Sequence, residues 1–188
     1  MEACTSRPIS LIVQAKTKLS MELPELPIDL PEVDQVAFVV EDLDDGMSRF
    51  HKLMGIEPWK VYEYEPPEME QMTYHGEEVE FSACVGLSYV GDTMFELIEP
   101  VSGPNIYDDH LDKHGEGLHH IAYFSWSEEE VYEIVEAVED AGIGILQSGH
   151  YLGTDFWYFD TAEQLNGLIF ETACRRNAKE REPAYTYP

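Results

Sequence analysis

The sequence of 188 residues is poor in cysteine and in long apolar segments, and each shortage excludes a class of protein. Its three cysteines, Cys4, Cys84 and Cys174, lie far apart and form no C-x-x-C pair. This spacing excludes a disulfide framework and a zinc-finger cluster. The apolar run at 9–13 is far shorter than the ~20 residues that a membrane helix needs, so we expect no membrane partner.

Basic residues are also scarce, with 11 Lys and Arg against 38 Asp and Glu and a net charge of −27. Such a surface repels phosphate backbones and anionic membranes, so nucleic-acid binding is not expected. High net charge often accompanies disorder, but 44% hydrophobic and 12% aromatic residues predict a folded domain. The low lysine content and the even spread of the acids favour a halophilic protein over one that is simply acidic.

The two ends differ in composition from the rest of the chain. Residues 1–20 carry three basic residues against one acidic and have no signal-peptide cleavage region. We interpret them as a disordered extension or as sequence upstream of a start at Met21. Prolines make 1–31 an extended or disordered arm, and 176–188 is predicted to be an irregular tail. The working domain is therefore predicted over 32–175.

An internal repeat predicts the fold. A β-type run at 34–38 matches one at 119–123, and an amphipathic helix and three strand-like segments follow each run. The strand-like segments are 59–64, 79–87 and 93–98 in the first copy, and 145–148, 156–160 and 168–172 in the second. The repeat predicts an α+β fold of two tandem βαβββ modules, over about 32–100 and 116–175, that pair into a curved, cup-shaped mixed sheet.

Each predicted helix has an apolar stripe and recognisable ends. The first stripe is Leu43, Met47, Phe50 and Met54, with acids at the start and Gly55 as the C-cap. The second follows a capping box that begins at Ser127, and consists of Val131, Ile134, Val135 and Val138.

Polar residues interrupt apolar strands at equivalent places in the two copies. They are Gln35, Glu96, His120 and Glu171. Any one of them alone is more simply a surface or hydrogen-bonded residue, but four in symmetric register predict a shared site. Because buried carboxylates are costly without partners, one divalent ion would satisfy them. An imidazole, two carboxylates and an amide oxygen suit zinc, nickel, cobalt, manganese or ferrous iron.

We expect different roles for two other histidines, His119 and His150. Strand alternation puts His119 on the opposite face from His120, so we expect it to be structural. His150, in a glycine-containing segment, is a candidate for the wall of the cup.

Several segments resemble the vicinal oxygen chelate (VOC) superfamily of glyoxalases, bleomycin-resistance proteins and dioxygenases. The run 33–40 is similar to the superfamily's opening strand. The stretch 95–100, followed by Gly-x-Gly-x-His-His within 115–122, looks like methylmalonyl-CoA epimerases in particular. The resemblance covers about 33–174 and implies the same cup-shaped fold.

The resemblance implies that the metal ligands are Gln35, Glu96, His120 and Glu171. The epimerases have His at the first of these positions and commonly Gln at the second. The order Gln, Glu, His, Glu is similar instead to glyoxalase I of the eukaryotic type. Extradiol dioxygenases need two His and one Glu on iron, so oxygenase chemistry is disfavoured.

The implied function is that of a divalent-metal-dependent isomerase or lyase, lactoylglutathione-lyase-like or methylmalonyl-CoA-epimerase-like. In both reactions a metal polarises a carbonyl and a carboxylate removes the neighbouring proton. We predict Glu171 as the catalytic base and Glu96 as the group for the second proton transfer. The alternative is a non-catalytic small-molecule-binding protein of the bleomycin-resistance type.

The expected partner is a small carbonyl or thioester substrate, and the expected state is a cytoplasmic homodimer. Both arrangements of the cup, within one chain or across a dimer, occur among similar proteins, so that point stays open. None of the basic residues, Arg175 and Arg176 included, marks a phosphate site in the sequence. A set of aromatic residues either lines a pocket or belongs to the core: Trp59, Tyr62, Tyr64, Tyr89, Phe156 and Trp157.

Overall fold

The computed structural model describes residues 25–26, 28–176, 178–179 and 181–188. The predictions for 1–20 and for most of the N-terminal arm lie outside these residues. The elements in chain order are β1 (Gln35–Val39), α1 (Leu43–Met54), β2 (Trp59–Tyr64), β3 (Met69–Tyr74), β4 (Glu77–Glu78), β5 (Ser82–Val90), β6 (Thr93–Ser102), α2 (Ile106–His114), β7 (Gly117–Tyr123), α3 (Glu128–Asp140), β8 (Ile145–Tyr151), β9 (Thr154–Phe159), β10 (Ile169–Arg175) and β11 (Tyr185–Tyr187).

All the described strands belong to one mixed sheet, in the order β11-β2-β5-β6-β1-β7-β10-β9-β8-β3-β4. The first strand of each module pairs in parallel with the last, β1 with β6 and β7 with β10. The two modules join where β1 and β7 run antiparallel. The order is therefore symmetric about the β1/β7 pair, and the predicted α+β fold of two βαβββ modules is confirmed.

Three elements were not expected from the repeat. The hairpin β3–β4 leaves the first module and pairs with β8 of the second, with Met69 opposite Tyr151. Helix α2 lies in the connection between the modules. The tail predicted as irregular over 176–188 contains β11, which pairs with β2 and places Tyr185 opposite Val61. A three-residue strand gives too short an alternation to be recognised in sequence.

The two module helices cover one face of the sheet. Helix α1 begins with Asp42 as N-cap and ends at Gly55, in the left-handed conformation at φ 70°, as predicted. Leu43 and Met47 of its apolar stripe are buried, but Met54 in the last turn is 63% exposed. Helix α3 has the predicted capping box, and its whole apolar stripe is buried. None of the helices in the described ranges has the length and hydrophobicity of a membrane span.

The other face of the sheet is also covered. Its buried cluster joins the strand residues Ala37, Val85 and Ile98 to Met72 of β3 and Ile106 of α2. Gln35 and Ala37 are two residues apart in β1, so their side chains point to the same face of the sheet. The unexpected hairpin and helix α2 therefore cover the face to which Gln35 belongs.

Candidate functional site

The register of the central strands brings the four predicted ligands together. They are Gln35, Glu96, His120 and Glu171. Across the β1/β7 junction, Gln35 lies opposite Ala122 and His120 lies opposite Ala37. Each alanine then has a glutamate beside it on the parallel strand, Glu96 next to Ala37 and Glu171 next to Ala122. The small alanines leave room for the polar side chains of both modules to meet.

The meeting point is buried and partly unsatisfied. His120 is fully buried, and Glu96 and Glu171 are 6% and 5% exposed. The Nε2 atom of His120 lies 2.9 Å from Glu171 Oε2 and 3.4 Å from Glu96 Oε2. Even so, His120 Nε2, Glu171 Oε2 and Gln35 Oε1 have no hydrogen-bond partner of acceptable geometry. Buried polar atoms are normally paired, so these three atoms are free to take a further partner.

The donor types fit a divalent metal, although the side-chain positions do not yet form a cage. Among residues 25–188 as far as they are described, no group of three His, Cys, Asp or Glu side chains is placed to hold an ion. The carboxylates contact the His120 ring directly instead of surrounding a common point. One nitrogen and three oxygens remain a suitable set for a borderline ion, and the orphaned atoms are its natural ligands.

The charges of the cluster are strongly coupled. Burial lowers the pKa of His120, but the negative charges of Glu171 and Glu96 outweigh burial and raise the pKa to about 9. Burial raises the pKa of Glu96, while His120 and the Gln35 amide act in the opposite direction. The imidazolium thus supplies the positive charge that the two carboxylates require.

His119 does not lie where strand alternation predicts. The register between β1 and β7 shifts between Ala37 and Phe38, which leaves His119 as an extra residue without a partner in β1. At this bulge His119 is fully buried, and its Nδ1 atom is 2.9 Å from Nδ1 of His120. Burial holds the pKa of His119 well below its ordinary value, so the neutral ring can accept a hydrogen bond from His120. The prediction of an opposite-facing residue was wrong because a bulge interrupts the two-residue period.

A cavity of about 310 Å³ has Glu96 and Glu171 among its lining residues. Three of the candidate aromatic residues line it, namely Tyr64, Tyr89 and Phe156. The others do not: Trp59 is fully buried in the α1 core, and Tyr62 packs against Arg181. The wall is mostly apolar with a small number of polar groups, as in many small-molecule sites.

A second hollow lies beside this cavity. Two residues that the sequence offered as candidates for the cup line this hollow instead. Trp157 and His150 both line it. His150 Nδ1 is 2.7 Å from Asp155 Oδ1, which gives the ring a structural partner. His150 is therefore absent from the wall of the cavity that contains Glu171.

Sequence reasoning missed a pair of tyrosines in the cavity. The Tyr107 hydroxyl donates to the Tyr158 hydroxyl at 3.0 Å, and both residues line the cavity. Tyr158 lies directly opposite Glu171, whereas the equivalent neighbour of Glu96 in the first module is Leu87. Burial raises the pKa of both tyrosines well above the ordinary value, so both hydroxyls keep their protons. Alignment of the two copies at this position, Leu against Tyr, is the signal that could have found the pair.

Asp34 fixes the junction beside the cluster and was also missed. Its Oδ2 atom accepts from the backbone N–H of Phe124 at 2.7 Å, and its Oδ1 accepts from the Ser125 hydroxyl at 2.8 Å. These bonds tie the start of β1 to the end of β7, one residue from Gln35.

The family profile of the Glyoxalase/Bleomycin resistance protein/Dioxygenase superfamily matches residues 34–159. The chain belongs to this superfamily. The resemblance identified in its sequence is thus confirmed, and in this VOC chain the two modules pair with each other across β1/β7. The cup is therefore formed within a single chain.

Solved structures with the same fold include a hypothetical protein from Bacillus halodurans, 19% identical, with a TM-score of 0.53 over 80% of this chain and 98% of that one. A methylmalonyl-CoA epimerase from Mycobacterium tuberculosis is 18% identical, with a TM-score of 0.51 over 81% of this chain and 88% of that one. The Streptomyces coelicolor epimerase in complex with 2-nitronate-propionyl-CoA is 17% identical, with a TM-score of 0.51 over 81% and 100%. At these identities the likeness establishes the fold. A comparison with curated proteins gives no match.

Proposed function

We propose that this VOC protein is a metal-dependent isomerase or lyase that moves a proton at the carbon next to a carbonyl group. The observation that carries the proposal is the contact of His120 with both Glu96 and Glu171 at one end of a mostly apolar cavity. Two carboxylates that face one space can serve opposite sides of a substrate carbon, which is what such a proton transfer requires.

The metal would be held by Gln35, Glu96, His120 and Glu171. A bound divalent ion supplies polarisation of the carbonyl oxygen and stabilises the charge that develops there. The neutral His119 ring would orient His120 through the Nδ1 contact, because partners of metal-bound histidines set both tautomer and ring position. This leaves His120 Nε2, an orphaned atom, for the ion.

Glu171 is the proposed base. Its side chain lines the cavity, and it would act on a bound substrate after leaving the ion, because a metal-bound carboxylate is a weak base. Glu96 takes the symmetric place in the first module and would return or remove a proton on the other side.

Tyr158 would donate a hydrogen bond to the substrate oxygen. The Tyr107 hydroxyl donates to the oxygen of Tyr158, so the Tyr158 proton remains available to the cavity. A neutral donor aimed at the position where negative charge develops stabilises the transition state more than the ground state. Leu87 offers no such donor beside Glu96, so the two halves of the site would do different work.

The substrate would be an acyl thioester or a thiohemiacetal. The first follows from the epimerases that share the fold, and the second from the similarity of the ligand order to glyoxalase I. Both place an acidic C–H next to a carbonyl carbon, so the same residues would serve either.

The test needs no knowledge of the product. The protein is incubated in D₂O with zinc, nickel, cobalt, manganese or ferrous iron and with acyl-CoA thioesters and thiol–methylglyoxal adducts, and deuterium in the recovered compound is measured. We expect metal-dependent incorporation next to one carbonyl. Binding of metal and ligand without exchange in any pair would contradict the proposal and favour a non-catalytic binding protein.

A further inference from the structure

Half of the basic residues in the described part of the chain lie in one short segment. Eight lie in the described part of the chain, and four of these fall within 175–181, directly after β10. They are Arg175, Arg176, Lys179 and Arg181. This segment is therefore a local excess of positive charge in a protein with 38 acidic residues and a net charge of −27.

Two of these cations form part of the cavity wall. Arg175 and Lys179 line the same cavity as Glu96 and Glu171. The backbone N–H of Lys179 donates to the carbonyl of Leu152, another lining residue, at 2.9 Å. The Arg175 guanidinium lies over the Phe124 ring, 5.2 Å from its centroid. The two cations therefore line the cavity at the end of β10.

The four cations differ in what they contact. Arg176 is engaged by Glu128 at 3.1 Å and by Asp155 at 3.2 Å. Arg181 lies over the rings of Tyr64 and Tyr151. Arg175 and Lys179, by contrast, have no carboxylate within 4.0 Å among the residues that the structure describes. Two cations thus hold the segment in place, and the two at the cavity keep their charge available.

We propose that Arg175 and Lys179 bind an anionic group at the far end of the substrate. The proposal rests on the function assigned above to Glu171 and Glu96, and it names the substrate class: a carbonyl compound or thioester with a phosphate or carboxylate tail. The apolar wall between the two ends, with Phe81 and Phe156, would receive the middle of the molecule.

The size and charge of the cavity support separate binding places for the reacting group and for the anionic tail. At about 310 Å³ it lies at the small end of ligand sites, so a bulky tail would remain at the rim, next to the cations. The guanidinium of Arg175 presents paired donors that match phosphate and carboxylate oxygens. Since the remaining surface repels anions, a local reversal of charge is what an anionic substrate needs to approach.

The sequence alone did not mark this site, because Arg175 and Lys179 are four residues apart and belong to no glycine-rich loop. The backbone N–H of Lys179 donates to the carbonyl of Leu152 in the turn between β8 and β9, and this tertiary contact holds Lys179 at the cavity.

Calorimetric binding of three thioethers tests the proposal at one salt concentration. S-methyl-coenzyme A carries phosphates, S-methylglutathione carries carboxylates, and S-methylpantetheine is uncharged. We expect at least one of the anionic probes to bind on the order of ten-fold more tightly than the neutral one. The double variant Arg175→Gln/Lys179→Gln should lose that preference and keep its affinity for S-methylpantetheine. Which anionic probe loses affinity identifies the phosphate or the carboxylate tail.

The matched control is Lys52→Gln/Lys60→Gln, which removes the same charge from exposed sites outside the cavity. It should keep the preference for the anionic probe. If no anionic probe binds better than the neutral one, or if the preference survives in the double variant, the proposal is wrong. Equal losses in the control would attribute the preference to net charge alone and overturn it as well. Lys179→Gln alone, which keeps the backbone bond to Leu152, covers the case in which the double variant does not fold.

The outcomes separate this proposal from the function on which it rests. A wild-type protein that prefers the anionic probe but exchanges no proton would contradict the proposed reaction and leave the anion site in place. Proton exchange without discrimination between the probes would do the reverse.

Discussion

His120 Nε2 lies 2.9 Å from Glu171 Oε2, yet neither atom has a satisfactory hydrogen-bond partner. The two residues come from adjacent parallel strands of the second module, and Glu96 of the first module completes the contact at 3.4 Å. A buried contact with this much unsatisfied polarity is expensive in an apolar protein interior. A ligand bound at this point would offset that cost, and the predictions below on metal binding and on proton exchange depend on such a ligand.

Substitutions of His120 and His119 should distinguish the predicted metal ligand from the residue that orients it. His120→Ala should abolish stoichiometric binding of one divalent ion, as measured by elemental analysis after dialysis. His119→Ala should keep the site but lower metal affinity by about 10–100-fold, because the Nδ1 contact that orients His120 is lost. His150→Ala, outside the cavity, is the control and should bind metal normally. Unchanged metal content in His120→Ala would remove the site.

The hydroxyl of Tyr158 should matter more than that of the other cavity tyrosines. Tyr158→Phe should lower the rate of proton exchange by about 10²-fold, since one donor to the substrate oxygen is removed. Metal content should not change. Tyr64→Phe, also a lining residue, is the control and should leave the rate within a few-fold. Tyr107→Phe should give an intermediate loss, because Tyr107 acts through Tyr158. Equal rates in Tyr158→Phe and the wild type would contradict the assigned role.

A glycine at the end of β6 should be essential for stability. Gly103 has φ 77°, and a Cβ atom there would lie 2.0 Å from the Glu80 carbonyl oxygen, so backbone would have to move. Gly103→Ala should lower the free energy of unfolding by about 3 kcal/mol or more in urea titrations. Gly91→Ala, with φ 64° but open space around the new atom, should cost only about 1 kcal/mol. Equal losses would mean that strain, and not the close approach, limits Gly103.

Salt should stabilise this protein. With a net charge of −27, self-repulsion is screened as the ionic strength rises. The melting temperature should therefore increase between about 0.1 and about 3 M KCl, a range in which the screening length falls from about 10 Å to below 3 Å. A constant melting temperature would contradict the halophilic interpretation.

The sequence predicted the central features of the fold because the internal repeat shows each of them in two copies. The paired strands, the Gly55 cap, the Ser127 capping box and the converging polar positions all follow from the repeat. Features outside the repeat were missed for physical reasons. The β3–β4 hairpin pairs with a strand of the other module, and such pairing leaves no local signal. The bulge at His119 interrupts strand alternation, so the rings of His119 and His120 meet.

The residues of the candidate site also divide into those that the repeat predicts and those that it does not. Gln35, Glu96, His120 and Glu171 could be predicted because symmetric register exposes polar interruptions of apolar strands. Tyr158 was missed because a tyrosine in an apolar strand resembles a core aromatic residue, and only a comparison with Leu87 of the other copy distinguishes it. Lys179 reaches the cavity only through tertiary contact with Leu152.

The central claim is that Glu171 removes a proton next to a carbonyl, and the matched variant Glu171→Gln tests it most directly. Glutamine keeps an oxygen donor and nearly the same volume but lacks basicity. Glu96→Gln is the companion variant, and it should show a smaller loss or one confined to a single stereoisomer. The measurement is solvent deuterium incorporation into whichever carbonyl compound the wild type exchanges, together with metal content.

We predict that Glu171→Gln keeps most of its metal and loses exchange by about 10²–10⁴-fold, the usual contribution of a general base. Exchange that continues at the wild-type rate in metal-loaded Glu171→Gln would contradict the account.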